Sequence, residues 1–152
     1  MAPPDYDRQA FNRSRCATIL IGIGLMAAVD EIVFHQLLAW HHFFDRSTLA
    51  KGLLSDGLLH SAELLMLVAG FFMLARLRDD QQFRSDGWAG LFIGAGGFQL
   101  FDGIVNHKIL GLHQVRYVEN LLLYDVLWNV AGLALVWVGL WLSRRTRRPS
   151  AK

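Results

Sequence analysis

Cysteine is almost missing from this chain: Cys16 stands alone among 152 residues. One thiol excludes an internal disulfide and any zinc-finger site built on several cysteines. Proline is sparse too, with three residues, two of them Pro3 and Pro4. Charge is thin along most of the chain. It gathers in the first fifteen positions, around Arg76–Arg84 and after Ser143. That distribution excludes an ordinary globular surface and fits a polytopic membrane protein. The basic excess comes largely from Arg144, Arg145, Arg147 and Arg148. A nucleic-acid partner would need such charge spread over a folded face. A cytoplasmic anchor needs only this tail, and no nucleic-acid binding is expected.

What the chain has in quantity is apolar sequence, with 53% hydrophobic residues. Four apolar segments, about Cys16–Phe44, Leu53–Leu77, Gly87–Leu110 and Asn120–Leu142, are each long enough to cross about 30 Å of hydrocarbon at about 1.5 Å per residue. The expectation is an all-α fold, a polytopic membrane four-helix bundle embedded in a lipid bilayer. Residues 1–15 read as a disordered cytoplasmic arm, 16–142 as the transmembrane domain and 143–152 as a basic cytoplasmic tail. The arm and the run after it imitate a secretory signal, but no small-residue cleavage site follows, so removal is not expected. Lys and Arg number eleven on the side of the termini against four (Arg46, Lys51, Lys108, Arg116) on the other. Positive-inside bias then predicts both termini in the cytoplasm. Gly90 and Gly94 form a small-xxx-small pair suited to helix packing in lipid, and Trp40 and Trp141 lie where interfacial tryptophans belong.

The stretch that stands out is Val29–His42, which puts two carboxylates and three imidazoles into an otherwise membrane-spanning run. Ionisable groups there must face protein, water or a ligand, which makes them functional candidates. The stretch also recurs. Shifting by 72 positions lays Ile21–His41 on Ile93–His113 with nine identities, among them Gly22/Gly94, Asp30/Asp102, His35/His107 and His41/His113. Chance would give about two, and lipid makes shared Asp and His rarer still. The chain therefore reads as two repeated helical hairpins, related by a pseudo-twofold axis along the membrane normal. On the second segment Asp56 and His60 are an i, i+4 pair on one face; shifting by 69 matches them to Asp125 and Asn129.

Depth brings these residues together. By helical rise, Asp30 lies about 21 Å and His35 about 29 Å above the inner end of the first segment, and Asp56 and His60 lie about 5 and 10 Å below the outer end of the second. Asp102 and His107 repeat the first pair, and Asp125 lies about 9 Å below the outer end of the fourth segment. Around the helix Asp30 and His41 share one stripe, while Glu31, His35 and His42 share another, as suits a helix packed between two neighbours. Imidazole and carboxylate gathered from facing helices build metal sites. The expected site comprises His35, His60 and His107 as leading ligands, with Asp30, Asp56, Asp102, Asp125, His41 and His113 divided between ligation and support. Such donors suit a transition-metal ion such as copper(II), zinc or iron, whereas copper(I) prefers sulfur, and Cys16, Met66 and Met73 lie in the other half. Two rival readings stand beside it. One is haem b held by facing imidazoles such as His35 and His107, or another metal-dependent redox enzyme. The other is a metal-free proton or ion relay, or simply Asp–His pairs that hold helices together.

The run Asp30–Gln36, with Trp40, His41 and His42, then Asp56-Gly57-Leu58-Leu59-His60, then Asp102–Arg116, closely resembles a bacterial integral membrane family known as domain of unknown function 2243. The resemblance covers about Gly22 to Leu142. It implies a four-helix inner-membrane protein without assigned activity, sometimes joined to a copper-delivery factor for respiratory oxidase assembly, and so copper handling with such an assembly factor as partner. Where that family's first motif has Gly, this chain has Glu31.

Overall fold

The computed structural model describes residues 4–146, and no strand occurs among them. Helix α1 (Pro4–Asp30) runs on without a break as a wider π-helical stretch, Glu31–Leu37. Helix α2 spans Leu49–Asp79. A 3₁₀ turn at Ser85–Trp88 leads into α3 (Ala89–Phe101), which also widens into a π-helical end, Asp102–Ile109. Helix α4 is Leu121–Thr146. Four stretches, Arg8–Leu37, Leu49–Asp79, Ser85–Ile109 and Leu121–Arg145, are long and apolar enough to cross a membrane.

The helices do not contribute equally to the interior. α1 packs on both α2 and α3, and α3 on both α1 and α4, so α1 and α3 form the central pair and α2 and α4 flank it. The outer helices accordingly present leucine and aromatic side chains outward, among them Leu54, Leu65 and Phe72 on α2 and Leu122, Leu133 and Trp137 on α4. In lipid such faces need no cover, and close packing decides which helices meet. At the central crossing a Cβ on Gly22 would lie on the Leu91 carbonyl oxygen, and one on Gly94 would lie on the Ile19 carbonyl oxygen. Glycine is required at both positions by backbone proximity.

Two expectations change. The first segment was expected to stay helical to Phe44, but the helix stops at Leu37. There the Leu38 N–H donates to Val33 O (2.9 Å), the Trp40 N–H donates to Phe34 O (2.9 Å), and Ala39 turns left-handed at φ 48°. The last donors reach back five and six residues instead of four, which widens the helix and then reverses the chain. The end of α3 does the same, with Leu110 N–H to Val105 O (2.8 Å), Leu112 N–H to Asn106 O (2.8 Å) and Gly111 at φ 57°. His41 and His42 therefore leave the helical wheel on which they were placed. The other change is at the start, where the arm expected to be disordered is helical from Pro4. Ala10, Phe11 and Ser14 are buried there, and Ser14 Oγ accepts a bond from the Arg84 N–H (3.0 Å). Residues 1–3 and 147–152, with most of the expected basic tail, lie outside the described residues.

Candidate metal centre

Because α1 and α3 end in the same way beside one another, the chain that follows each helix folds back over the central pair. Residues 38–48 and 110–120 meet there, with the Asp45 N–H donating to Leu112 O (3.1 Å). Each connection supplies one histidine, and the other connection fixes it. His41 Nδ1 donates to Val115 O (3.0 Å) and His113 Nδ1 donates to Phe43 O (2.8 Å). A carbonyl only accepts, so both rings carry their proton on Nδ1 and turn the Nε2 lone pair inward. Removal from water holds both imidazoles below the ordinary histidine range. His113 falls to about 4, and His41, with the neighbouring imidazoles adding to the effect, falls to about 2. Both are neutral at physiological pH, the form in which histidine binds metal.

Beneath these two rings lie the residues of the π-helical ends. His107 Nε2 is 2.9 Å from His113 Nε2 and 3.0 Å from Asp102 Oδ2, and His113 Nε2 is 3.6 Å from Asp102 Oδ1. Two nitrogens each about 2.0–2.1 Å from one zinc-like ion stand about 2.9 Å apart at a right angle and about 3.4 Å apart at a tetrahedral one. The observed spacing is at the short end of that range. On the α1 side the His35 ring meets the His41 ring edge to face at 4.4 Å, and His41 stacks on His113 at 4.5 Å. His35 Nε2 lies 3.9 Å from Asp30 Oδ2. The His35 and His41 Nε2 atoms and the Asp30 Oδ2 atom are buried and make no hydrogen bond. Donor atoms of His35, His41 and His113 lie within 4.8 Å of one another, as do those of Asp102, His107 and His113. Six of the nine expected site residues thus form one closed box, with Asp30, Asp102, His35, His41, His107 and His113 each no more than 5% exposed.

The other three stand outside it. Asp56 faces the opposite edge of His35, 3.1 Å from Nδ1, and also accepts from the Phe43 N–H (2.7 Å) and meets His42 Nδ1 (2.6 Å). His60 is largely exposed and pairs with Glu63 on its own helix (2.5 Å). Asp125 is held by Lys108 at 2.5 Å. Helical rise assigns all of these one level, and the packing order then shows that α2 and α4 flank the central pair. Two buried acids stood outside the expected ligand set. Glu31, read from the sequence as sharing a stripe with His35, is 2% exposed and 2.8 Å from His35 Nδ1, as their i, i+4 spacing implies. Glu63 is 2% exposed, and its carboxylate in an apolar run, three residues after His60, was the signal that could have found it.

These features define a class: an all-helical protein with four membrane-length helices and buried His, Asp and Glu groups close enough to hold a metal ion. The family model described as predicted membrane protein (DUF2243) matches residues 17–146, and the chain belongs to that family. No curated protein and no solved structure matches it.

Proposed function

We propose that this protein binds a transition-metal ion in the box between the π-helical ends of α1 and α3, and captures or passes on that ion at one face of the membrane. The observation that carries the reading is the orientation of the two connection histidines. With Nδ1 spent on Val115 O and Phe43 O, His41 and His113 have only Nε2 left, and those atoms turn toward His35, His107 and two carboxylates. Neutral imidazoles aimed by backbone carbonyls are the usual preparation of metal ligands. Two carboxylates buried without Lys or Arg are costly in a membrane unless a cation offsets them. Nitrogen and oxygen donors favour Cu²⁺, Zn²⁺ or Fe²⁺, and copper handed to a respiratory oxidase assembly factor is the specific role that the family resemblance suggests.

Haem fits less well. A macrocycle between His35 and His107 would need the space taken by the His41 ring, 4.4 Å from His35, and the His113 ring, 4.5 Å from His107. We further read the chain as two copies of one hairpin, placed in a bacterial inner membrane with its termini in the cytoplasm and the box toward the periplasm. The 72-residue spacing common to the helix ends, the left-handed residues and the crossed histidine bonds supports the repeat, and the Lys and Arg excess on the side of the termini supports the orientation. Elemental analysis of detergent-purified protein tests the function. About one tightly held metal ion per chain, lost in His41→Ala and His113→Ala, is expected; no metal in any preparation, with proton flux in liposomes, would replace the reading by a proton relay.

A further inference from the structure

His35 has two edges, and only one belongs to the box. Its Nε2 faces Asp30. Its Nδ1 faces outward to Glu31 (2.8 Å) and Asp56 (3.1 Å). Beyond these two carboxylates lies a cavity of about 250 Å³ between α1 and α2, lined by Glu31, Gln36, Asp56 and His60 together with Ile32, Leu53 and Gly57. One turn further along α2, the buried Glu63 binds His60 through one oxygen and leaves the other without a partner. It is close enough to Glu31 and Asp30 for their charges to act on one another. Glu31, Asp56 and Glu63 are all nearly fully buried, and neither Lys nor Arg lines the cavity.

The corresponding positions around α3 and α4 have a different chemistry. At the 72-residue spacing Glu31 corresponds to Gly103 and Gln36 to Lys108; at the 69-residue spacing His60 corresponds to Asn129 and Glu63 to Gly132. The one acid kept there, Asp125, is neutralised by Lys108 at 2.5 Å. One side of the molecule thus has an acidic pocket lined by neither Lys nor Arg, and the other has glycine, amide and an ion pair.

Resting on the reading of the box as a metal site, we propose that the pocket of Glu31, Asp56 and His60 is a second, weaker divalent-cation site, through which the box is loaded. Glu31 and Asp56 offer oxygen donors beside His35 Nδ1, and donor atoms of Glu31, His35 and Asp56 lie within 4.8 Å of one another. A hard, acidic site with an open side takes up and releases a hydrated divalent ion readily, whereas the enclosed imidazole box holds it. His35 stands between the two, with one ring nitrogen toward each.

The test is rapid mixing of Co²⁺ with the metal-free full-length protein in nanodiscs, followed by the visible absorption of the filled box, with equilibrium stoichiometry measured separately. Wild type is expected to bind two ions of unequal affinity. Glu31→Gln should lose the weaker one and fill the box about tenfold more slowly or worse, since a focusing acidic cleft is worth about that in association rate, while the final box spectrum stays the same. Glu63→Gln, which leaves the ligands in place, should slow filling with both ions retained, and carries the same test if Glu31→Gln does not fold. Unchanged filling rates in a variant that still fills the box would overturn the port and leave the box standing. No Co²⁺ uptake by wild type would overturn both readings.

Discussion

Replacing Ala39 by glycine should stabilise the protein. Ala39 sits at φ 48°, in the left-handed region, where it ends the π-helical stretch of α1; at the equivalent place after α3 the residue is Gly111 at φ 57°. A Cβ in that region costs about 1–2 kcal/mol. Glycine removes that cost but gives the unfolded chain more freedom, a loss of about 0.5–1 kcal/mol. The difference leaves a net gain of about 0.5–1 kcal/mol for Ala39→Gly, or about 2–4 °C per kcal/mol in a chain of this size. Gly111→Ala should reverse the sign. It takes on the strain, and its new methyl meets the guanidinium of Arg46, a flexible group that can shift. Thermal unfolding in one detergent, followed by circular dichroism, gives both numbers. Co²⁺ stoichiometry should not change in Ala39→Gly, because the bonds that aim His41 and His113 come from Val115 O and Phe43 O. If Ala39→Gly loses as much stability as Gly111→Ala, the two helix ends are not built alike, and the account of how the histidines are presented fails.

Three further outcomes follow from the same geometry. His113→Ala should lower Co²⁺ affinity by about 100-fold or more, since it removes a ring placed against both His107 and Asp102, while His60→Ala should leave box affinity within about threefold; isothermal titration of both variants decides between the packed box and a site that includes α2. Gly22→Ala should cost about 2 kcal/mol or more in reversible unfolding in bicelles, because the Leu91 carbonyl occupies the space and the α1–α3 crossing must open. Finally, the metal-free protein should weaken on acidification. His113 stays neutral in the fold down to about pH 4 but takes a proton at its ordinary value when unfolded, so stability is full above about pH 6.5 and falls by about 3 kcal/mol as pH drops to about 4. A flat profile of unfolding midpoint over that window would show that His113 is hydrated.

Much of the candidate site was legible because lipid makes polar residues conspicuous. Asp30, His35, Asp102 and His107 stood out in apolar runs, and their 72-residue spacing pointed to a shared place. α1 does pack between α2 and α3, but the two polar stripes expected on it do not survive, because the π-helical stretch breaks the 100° period and His41 and His42 lie beyond the helix. What misled was extending the 100° helical period through residue 41. Nothing in Phe34–His42 announces that Leu38 and Trp40 will bond back five and six residues, and that change moves His41 from a helix face into a connection that crosses the partner connection. His60 shows a second limit: helical rise does not say which neighbour a helix faces, and His60 lies on a flanking helix, largely exposed and paired with Glu63.

The sequence by itself determined four apolar spans and the chemistry that their ionisable groups can offer, because hydropathy and residue type are local properties. The tertiary structure alone decided that α1 and α3 form the central pair, that His41 and His113 are each aimed by a carbonyl of the other connection, and that Glu31 and Asp56 border a cavity between α1 and α2. The reason is that which helix meets which depends on where glycine lets two backbones touch, and where a side chain points depends on the last hydrogen bond of the helix carrying it.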